Sequence, residues 1–183
     1  MALTTIVQVE VTLSDVDRGV YETLELTLAQ HPSESTRYLV TRLFAYCLSY
    51  EEGIAWSRGG LSDAEEPPIS IRDATGLLLA WIDIGQPSAE RLHKASKAAR
   101  RVSLFTTADR TQLMREVSTR PIHKLEAIEV YRLDPAFVSA LEAKLARRMK
   151  LEIVRNEAQL YVTIAGETLE SPLTRVSLVD DPK

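Results

Sequence analysis

The sequence predicts a mixed α/β fold, a mixed sheet flanked by helices with further antiparallel strands at both ends. Three observations predict it. Apolar residues alternate with polar ones near both termini, the period of half-buried strands. Leu77–Gly85 (LLLAWIDIG) holds seven apolar residues in nine, a run without alternation that suits a strand covered on both faces. That run is followed by a helical pattern and then by another strand pattern, which is a crossover unit.

Taken in order, Val7, Val9, Val11 and Leu13 alternate across 4–13, and Leu24, Leu26 and Leu28 across 21–29. The turn-rich SDVDRG between them predicts an antiparallel hairpin. Its polar face (Gln8, Glu10, Thr23, Glu25, Thr27) reads as solvated. His31-Pro32-Ser33-Glu34 opens a helix, with Ser33 as N-cap, Glu34 in the first turn, and Leu39, Val40, Leu43, Phe44 and Cys47 as the apolar stripe. Glu34, Tyr38 and Arg42 form a second, mostly polar stripe at a spacing of four. For Glu34, favourable interaction with the helix dipole competes with a role in a site.

Residues 54–58 form a short strand candidate, and the acidic, glycine-bearing 57–68 a loop. Residues 69–71 are the next strand, and Asp73-Ala74-Thr75-Gly76 the turn into the apolar run. If the turn joins Arg72 directly to Leu77, Glu66 falls opposite Asp83, with Cβ atoms ~5 Å apart on one face. Two carboxylates so placed imply a shared proton or a bound cation. Gly85 and Pro87 stop the strand, and Ser88 caps a helix from 89 to about 101 that buries Leu92, Ala95, Ala99 and Val102. On that helix Arg91 lies nearest the edge of the buried side, Lys94 follows, and Lys97 points away. Lys94 is therefore the better candidate to reach the strand end. Lys97, Arg100 and Arg101 read as solvated charges.

Residues 102–106 return as a strand, Asp109 caps a helix to about 117, and 126–133 alternate as a strand. Asp134-Pro135 starts a helix to about 146. Residues 151–154, 160–164 and 176–179 read as a closing antiparallel meander. The chain is expected to be a single domain over 1–183, with the hairpin at 1–30, a core at 31–107 and an α/β extension at 108–183.

Composition narrows the function classes. The 183 residues carry a net charge of −4, which opposes bulk capture of nucleic acid, so such a site must be local. One cysteine, Cys47, excludes an intrachain disulfide and reads as a buried thiol. No basic leader and no apolar run long enough for a bilayer occur, so the expectation is a cytoplasmic protein without a membrane partner. No oligomeric state follows, and a monomer suffices. Phosphate-binding glycine loops, Cys/His zinc spacings and nucleophile-elbow motifs are absent from the sequence. What remains is a pair of carboxylates with a nearby lysine, oxygen chemistry that suits Mg²⁺ or Mn²⁺ rather than zinc. Such a cation activates water and stabilises charge developing on a phosphate.

HPSE at 31–34, Arg42, RGGLSDAEEP at 58–67, WIDIGQP at 81–87, Arg91–Ala95 and SLFT at 103–106 together resemble the YaeQ family of small bacterial proteins, over essentially the whole length. Members of that family resemble the PD-(D/E)XK nucleases, which implies a restriction-endonuclease-like core. By position the resemblance makes Glu66 the first motif acid, Asp83 the second, and Glu34 the glutamate that some members supply from the first helix. The superfamily lysine normally stands two residues after the second acid, where this chain has Gly85, and Glu replaces Asp as the first acid. Lys94 is the candidate substitute.

Three readings follow. In the first, the chain is a metal-dependent nuclease: Glu66 and Asp83 hold Mg²⁺ or Mn²⁺, Glu34 assists through water, and Lys94 orients water or neutralises the phosphate. Arg91, Lys97 and Arg101 then touch the nucleic-acid backbone. In the second, the chain is a non-catalytic nucleic-acid- or protein-binding adaptor that keeps the fold. In the third, Asp83 is a buried partner of Arg91 or Lys94 and binds no ligand.

Overall fold

The computed structural model describes residues 3–59 and 63–180. Gly60, Leu61 and Ser62, part of the 57–68 loop and of the RGGLSDAEEP motif, lie outside the described residues, as do the three C-terminal residues. Among the described residues the chain forms ten strands and four α-helices, a mixed α/β architecture. They fall into two compact units, 1–48 with 133–174 and 49–132 with 175–183.

In the first unit, β1 (Thr5–Asp15) and β2 (Val20–Gln30) form the expected antiparallel hairpin, with Val9 facing Leu26 and Val11 facing Leu24. The alternating valines and leucines fill one face because a strand turns successive side chains to opposite sides. β1 pairs on its other edge with β8 (Arg148–Asn156) in parallel, and β8 continues antiparallel to β9 (Gln159–Ile164). The meander closes with β10 (Glu167–Val176), antiparallel to β9. The third meander strand therefore lies earlier than the expected 176–179. Pro172, which cannot donate to a ladder, hides this strand in the sequence, yet it faces Gln159 within it.

Helix α1 spans Thr36–Leu48. Its start corrects the expected cap: Ser35, not Ser33, accepts the Tyr38 N–H on its hydroxyl, at 3.1 Å. Ser33 bonds His31 instead, so Glu34 precedes the helix and is not in its first turn. α1 meets α4 (Pro135–Glu142) through Phe44 and Phe137, edge to face at 5.8 Å. α4 ends earlier than expected at Glu142, and Asp134 caps it through the N–H groups of Ala136 and Phe137.

The second unit orders its strands β7-β6-β5-β4-β3. β3 (Ile54–Trp56), β4 (Ile69–Arg72) and β5 (Leu78–Ile84) are antiparallel neighbours. β5, β6 (Arg101–Thr106) and β7 (Glu129–Leu133) are parallel. Helix α2 (Ala89–Ala98) connects β5 to β6 and ends before Arg101, which opens the next strand. Helix α3 (Arg110–Val117) starts in a capping box between Asp109 and Gln112. A 3₁₀ turn, Leu125–Ala127, takes the start of the expected 126–133 strand. The core of this unit gathers Trp81, Leu92, Ala95, Leu104, Leu113 and Val130.

The register of β4 and β5 corrects the expected one. Ile69 faces Ile82 and Ile71 faces Ala80, with a bulge between Ile71 and Arg72. The cause is the turn: the Asp73 carboxylate accepts the N–H groups of Thr75 and Leu77, at 2.8 and 3.0 Å. That wraps Leu77 into the loop and starts β5 at Leu78. Continued outward, the register sets Pro68 opposite Asp83, two residues away from the expected Glu66. An even shift preserves the face, so alternation alone could not reveal it.

Candidate functional site

Asp83 lies near the end of β5, on a strand whose last five residues are buried, and is itself 3% exposed. A carboxylate at that depth needs partners for both oxygens. Oδ2 accepts the Trp81 indole Nε1–H at 3.0 Å and the Arg91 Nε–H at 2.7 Å; Oδ1 accepts the Ile84 N–H at 3.1 Å. Trp81 and Asp83, two apart on one strand, share a face. Trp81 packs in the cluster that includes Leu92 and Ala95 of α2, so this face looks toward the helix carrying Arg91.

Arg91 is fixed from both ends. The Ser88 side chain caps α2 by accepting the Arg91 N–H at 3.1 Å, and Glu116 accepts the Ala89 N–H at 3.0 Å. The guanidinium spreads its remaining donors over the loop before β4: Nη2 donates to the Glu66 carbonyl at 3.0 Å and Nη1 to the Ala64 carbonyl at 3.3 Å. It also lies 5.3 Å from the centre of the Trp81 ring, within cation–π range. Three oxygens, one from β5 and two from the loop before β4, thus converge on one planar cation. Its side chain keeps 21% of its surface exposed against 4% for Asp83.

The other expected residues are placed as follows. The Glu66 carboxylate is half-buried and accepts the Ser57 hydroxyl at 3.3 Å. Lys94 pairs with Glu65, whose side chain is 79% exposed, and not with Glu66 or Asp83. Lys97 is exposed in the last turn of α2, and Arg101, on β6, pairs with Glu51 at 2.5 Å. Glu34 belongs to the first unit. There its carboxylate accepts Arg42 Nε–H and Nη2–H at 2.9 and 3.1 Å and the His31 N–H at 3.2 Å. Burial pushes this carboxyl above its ordinary value, against the pull of Arg42 and of the His31 N–H. The i, i+8 spacing of Glu34 and Arg42 therefore marks an ion pair. Gly85, two residues after Asp83, has φ +81° and donates its N–H to Phe105 O at 2.8 Å. A lysine would be strained in that left-handed conformation.

Sequence reasoning missed two contributors. Trp81 as a donor to Asp83 was legible in the W-x-D spacing, since a strand brings those side chains to one face. Ser57 carried no signal.

The acceptors around Arg91 are hard oxygens, the Asp83 carboxylate and two carbonyls, with the Glu66 carboxylate on the same loop, a set that fits Mg²⁺ or Mn²⁺ in kind. Among the described residues no group of three or more His, Cys, Asp or Glu side chains is gathered as a metal site. Also among them, no helix is long and apolar enough to cross a membrane.

The family model described as YaeQ protein matches residues 1–173. The chain is 31% identical to the uncharacterized protein YaeQ of Escherichia coli (strain K12) over 172 residues, 93% of this chain and 94% of that protein. It is 32% identical to the Salmonella typhi protein of the same description, with the same coverage. Among solved structures, YaeQ from Pseudomonas syringae superposes with a TM-score of 0.82 at 29% identity, covering 94% of this chain and 96% of that one. YaeQ from Xanthomonas axonopodis pv. citri does so with 0.84 at 30%, covering 94% and 97%. The coincidence of sequence and fold along nearly the whole length leaves one assignment: this chain belongs to the YaeQ family.

Proposed function

We propose that this protein is a nuclease that hydrolyses phosphodiester bonds of nucleic acid with Mg²⁺ or Mn²⁺ as cofactor, on a restriction-endonuclease-like core. One observation carries the reading. A buried strand-end carboxylate, Asp83, and the backbone of a second acidic residue, Glu66, are drawn to one cation, the Arg91 guanidinium. A strand-end aspartate that needs a positive charge for its burial is a seat for a cation.

In this reading Asp83 and Glu66 hold the divalent ion, which when bound supplies a more acidic water and neutralises charge on the scissile phosphate. Lys94 breaks a surface pair with Glu65, worth ~0–1 kcal/mol, to orient water or meet the phosphate. Arg91, Lys97 and Arg101 contact the nucleic-acid backbone, a small basic surface on a chain whose net charge is −4.

A second reading is favoured by the completeness of the Asp83 shell: both oxygens have donors. Here the Asp83–Arg91 pair is structural and the chain is a non-catalytic binding protein that retains the fold. Cleavage of labelled DNA and RNA oligonucleotides with Mg²⁺ and Mn²⁺ separates them, with Glu66→Ala and Asp83→Ala as controls. Cleavage abolished in both variants supports the nuclease. No cleavage by wild type, or equal cleavage by wild type and both variants, removes it.

A further inference from the structure

We propose that Arg91 is the phosphodiester receptor of this site, and that a phosphodiester and a hard divalent cation enter it together. In the exchange Arg91 turns its guanidinium to the phosphate and releases the oxygens it holds. This inference rests on the phosphodiesterase reading above and adds an obligatory coupling between the two ligands.

Arg91 and a divalent ion exclude each other at these oxygens. Asp83 Oδ2 at 2.7 Å, Glu66 O at 3.0 Å and Ala64 O at 3.3 Å all bond the same guanidinium. A divalent ion among these oxygens would compete with Arg91 for each of them and repel it. Neither partner leaves alone without penalty. If the arginine withdraws unaided, a carboxylate with 4% exposure loses its counter-charge. If a cation displaces it unaided, a guanidinium is left beside a dication with no anion of its own.

A phosphodiester removes the second penalty. Its two non-bridging oxygens match the guanidinium fork, the strongest geometry available to arginine. The approach is open, because Arg91 keeps 21% of its side chain exposed and Lys94 lies one turn further along α2 in a surface pair with Glu65. The exchange also frees the segment bearing the Ala64 and Glu66 carbonyls from its clamp. By linkage, each ligand must then raise the affinity for the other by the same factor.

The test is calorimetric titration of the protein with Mn²⁺, alone and in the presence of a DNA whose bridging oxygen is replaced by methylene, which resists hydrolysis and keeps both non-bridging oxygens, with an RNA counterpart as the second arm. In parallel, a Trp56→Phe background leaves Trp81, which touches both Asp83 and Arg91, as the fluorescent reporter of the exchange. The expected result is Mn²⁺ binding at least about fivefold tighter with the oligonucleotide than without it, with a change in Trp81 emission only when both are present. Whichever arm shows the coupling identifies the nucleic acid. Arg91→Ala should bind Mn²⁺ equally with and without oligonucleotide, and Arg91→Lys, which keeps the charge but lacks the fork, should lose most of the coupling. If the alanine variant does not fold, the lysine variant carries the comparison. Equal Mn²⁺ affinity in both conditions for wild type, or full coupling in Arg91→Lys, overturns the proposal. Coupling without cleavage would sink the nuclease reading and leave this one standing; cleavage without coupling would do the reverse.

Discussion

Replacing Asp83 by alanine tests the physical claim on which every reading of the site depends, that this carboxylate and Arg91 are one electrostatic unit. Asp83 is 3% exposed, so its removal leaves a cation facing carbonyls alone. Breaking a buried pair in this way costs ~3–5 kcal/mol. The 21% exposure of the Arg91 side chain lets water recover part of that, which puts Asp83→Ala at ~3 kcal/mol. Arg91→Ala should cost about the same: Asp83 keeps only the Trp81 and Ile84 N–H donors, and the Ala64 and Glu66 carbonyls lose theirs. For a chain of this size ~3 kcal/mol corresponds to a Tm lower by ~6–12 °C. The double variant Asp83→Leu/Arg91→Met, apolar and similar in volume, should recover much of the loss, giving a coupling of ~2 kcal/mol or more. Urea unfolding in EDTA, followed by fluorescence of Trp56 and Trp81, reads this out in the second unit, where both tryptophans lie. Two single variants each within ~1 kcal/mol of wild type, or single costs that simply add in the double variant, would refute the reasoning.

Two further outcomes follow from groups outside the site. Cys47 is fully buried, and burial pushes its thiol up to about 12, so Ellman's reagent at pH 8 should label the folded protein only after urea unfolds it; rapid labelling of the native chain would contradict the packing of α1. Asp17 is held below the ordinary carboxylate range, first by the Ala158 N–H at 2.9 Å and then by the Glu157 N–H and Arg155. A depressed native value gives stability that is complete above the unfolded value and is lost as pH falls through the native one. Asp17→Asn should therefore lower the urea midpoint at pH 7, with the gap to wild type closing as pH drops below about 4. A gap of the same size at both pH values would show that the charge plays no part.

How much of this was legible in the sequence depends on the range of the interaction. The β1–β2 hairpin, the caps at Ser88, Asp109 and Asp134, and the buried thiol were readable, because each rests on neighbours within a few residues or on strict alternation. The sequence predicts Ser33 as the cap of α1, but its hydroxyl bonds His31 and Ser35 takes the cap position. It predicts the third meander strand at 176–179, but β10 pairs with β9 through 167–172.

Composition and hydrophobic period by themselves determined a mixed α/β chain with an acid at the end of its most buried strand, and the quoted motifs carried the resemblance to the YaeQ family. Only the tertiary structure decided what that acid meets. A two-residue offset set by the Asp73 turn put Ile69, not Pro67, opposite Ile82, and the packing of α2 on Trp81 delivered Arg91 to the carboxylate while Lys94 went to Glu65. Periodicity specifies a face but is blind to even shifts along it, and the choice between two cations three residues apart on a helix is made by the packing angle of that helix, which no local pattern encodes.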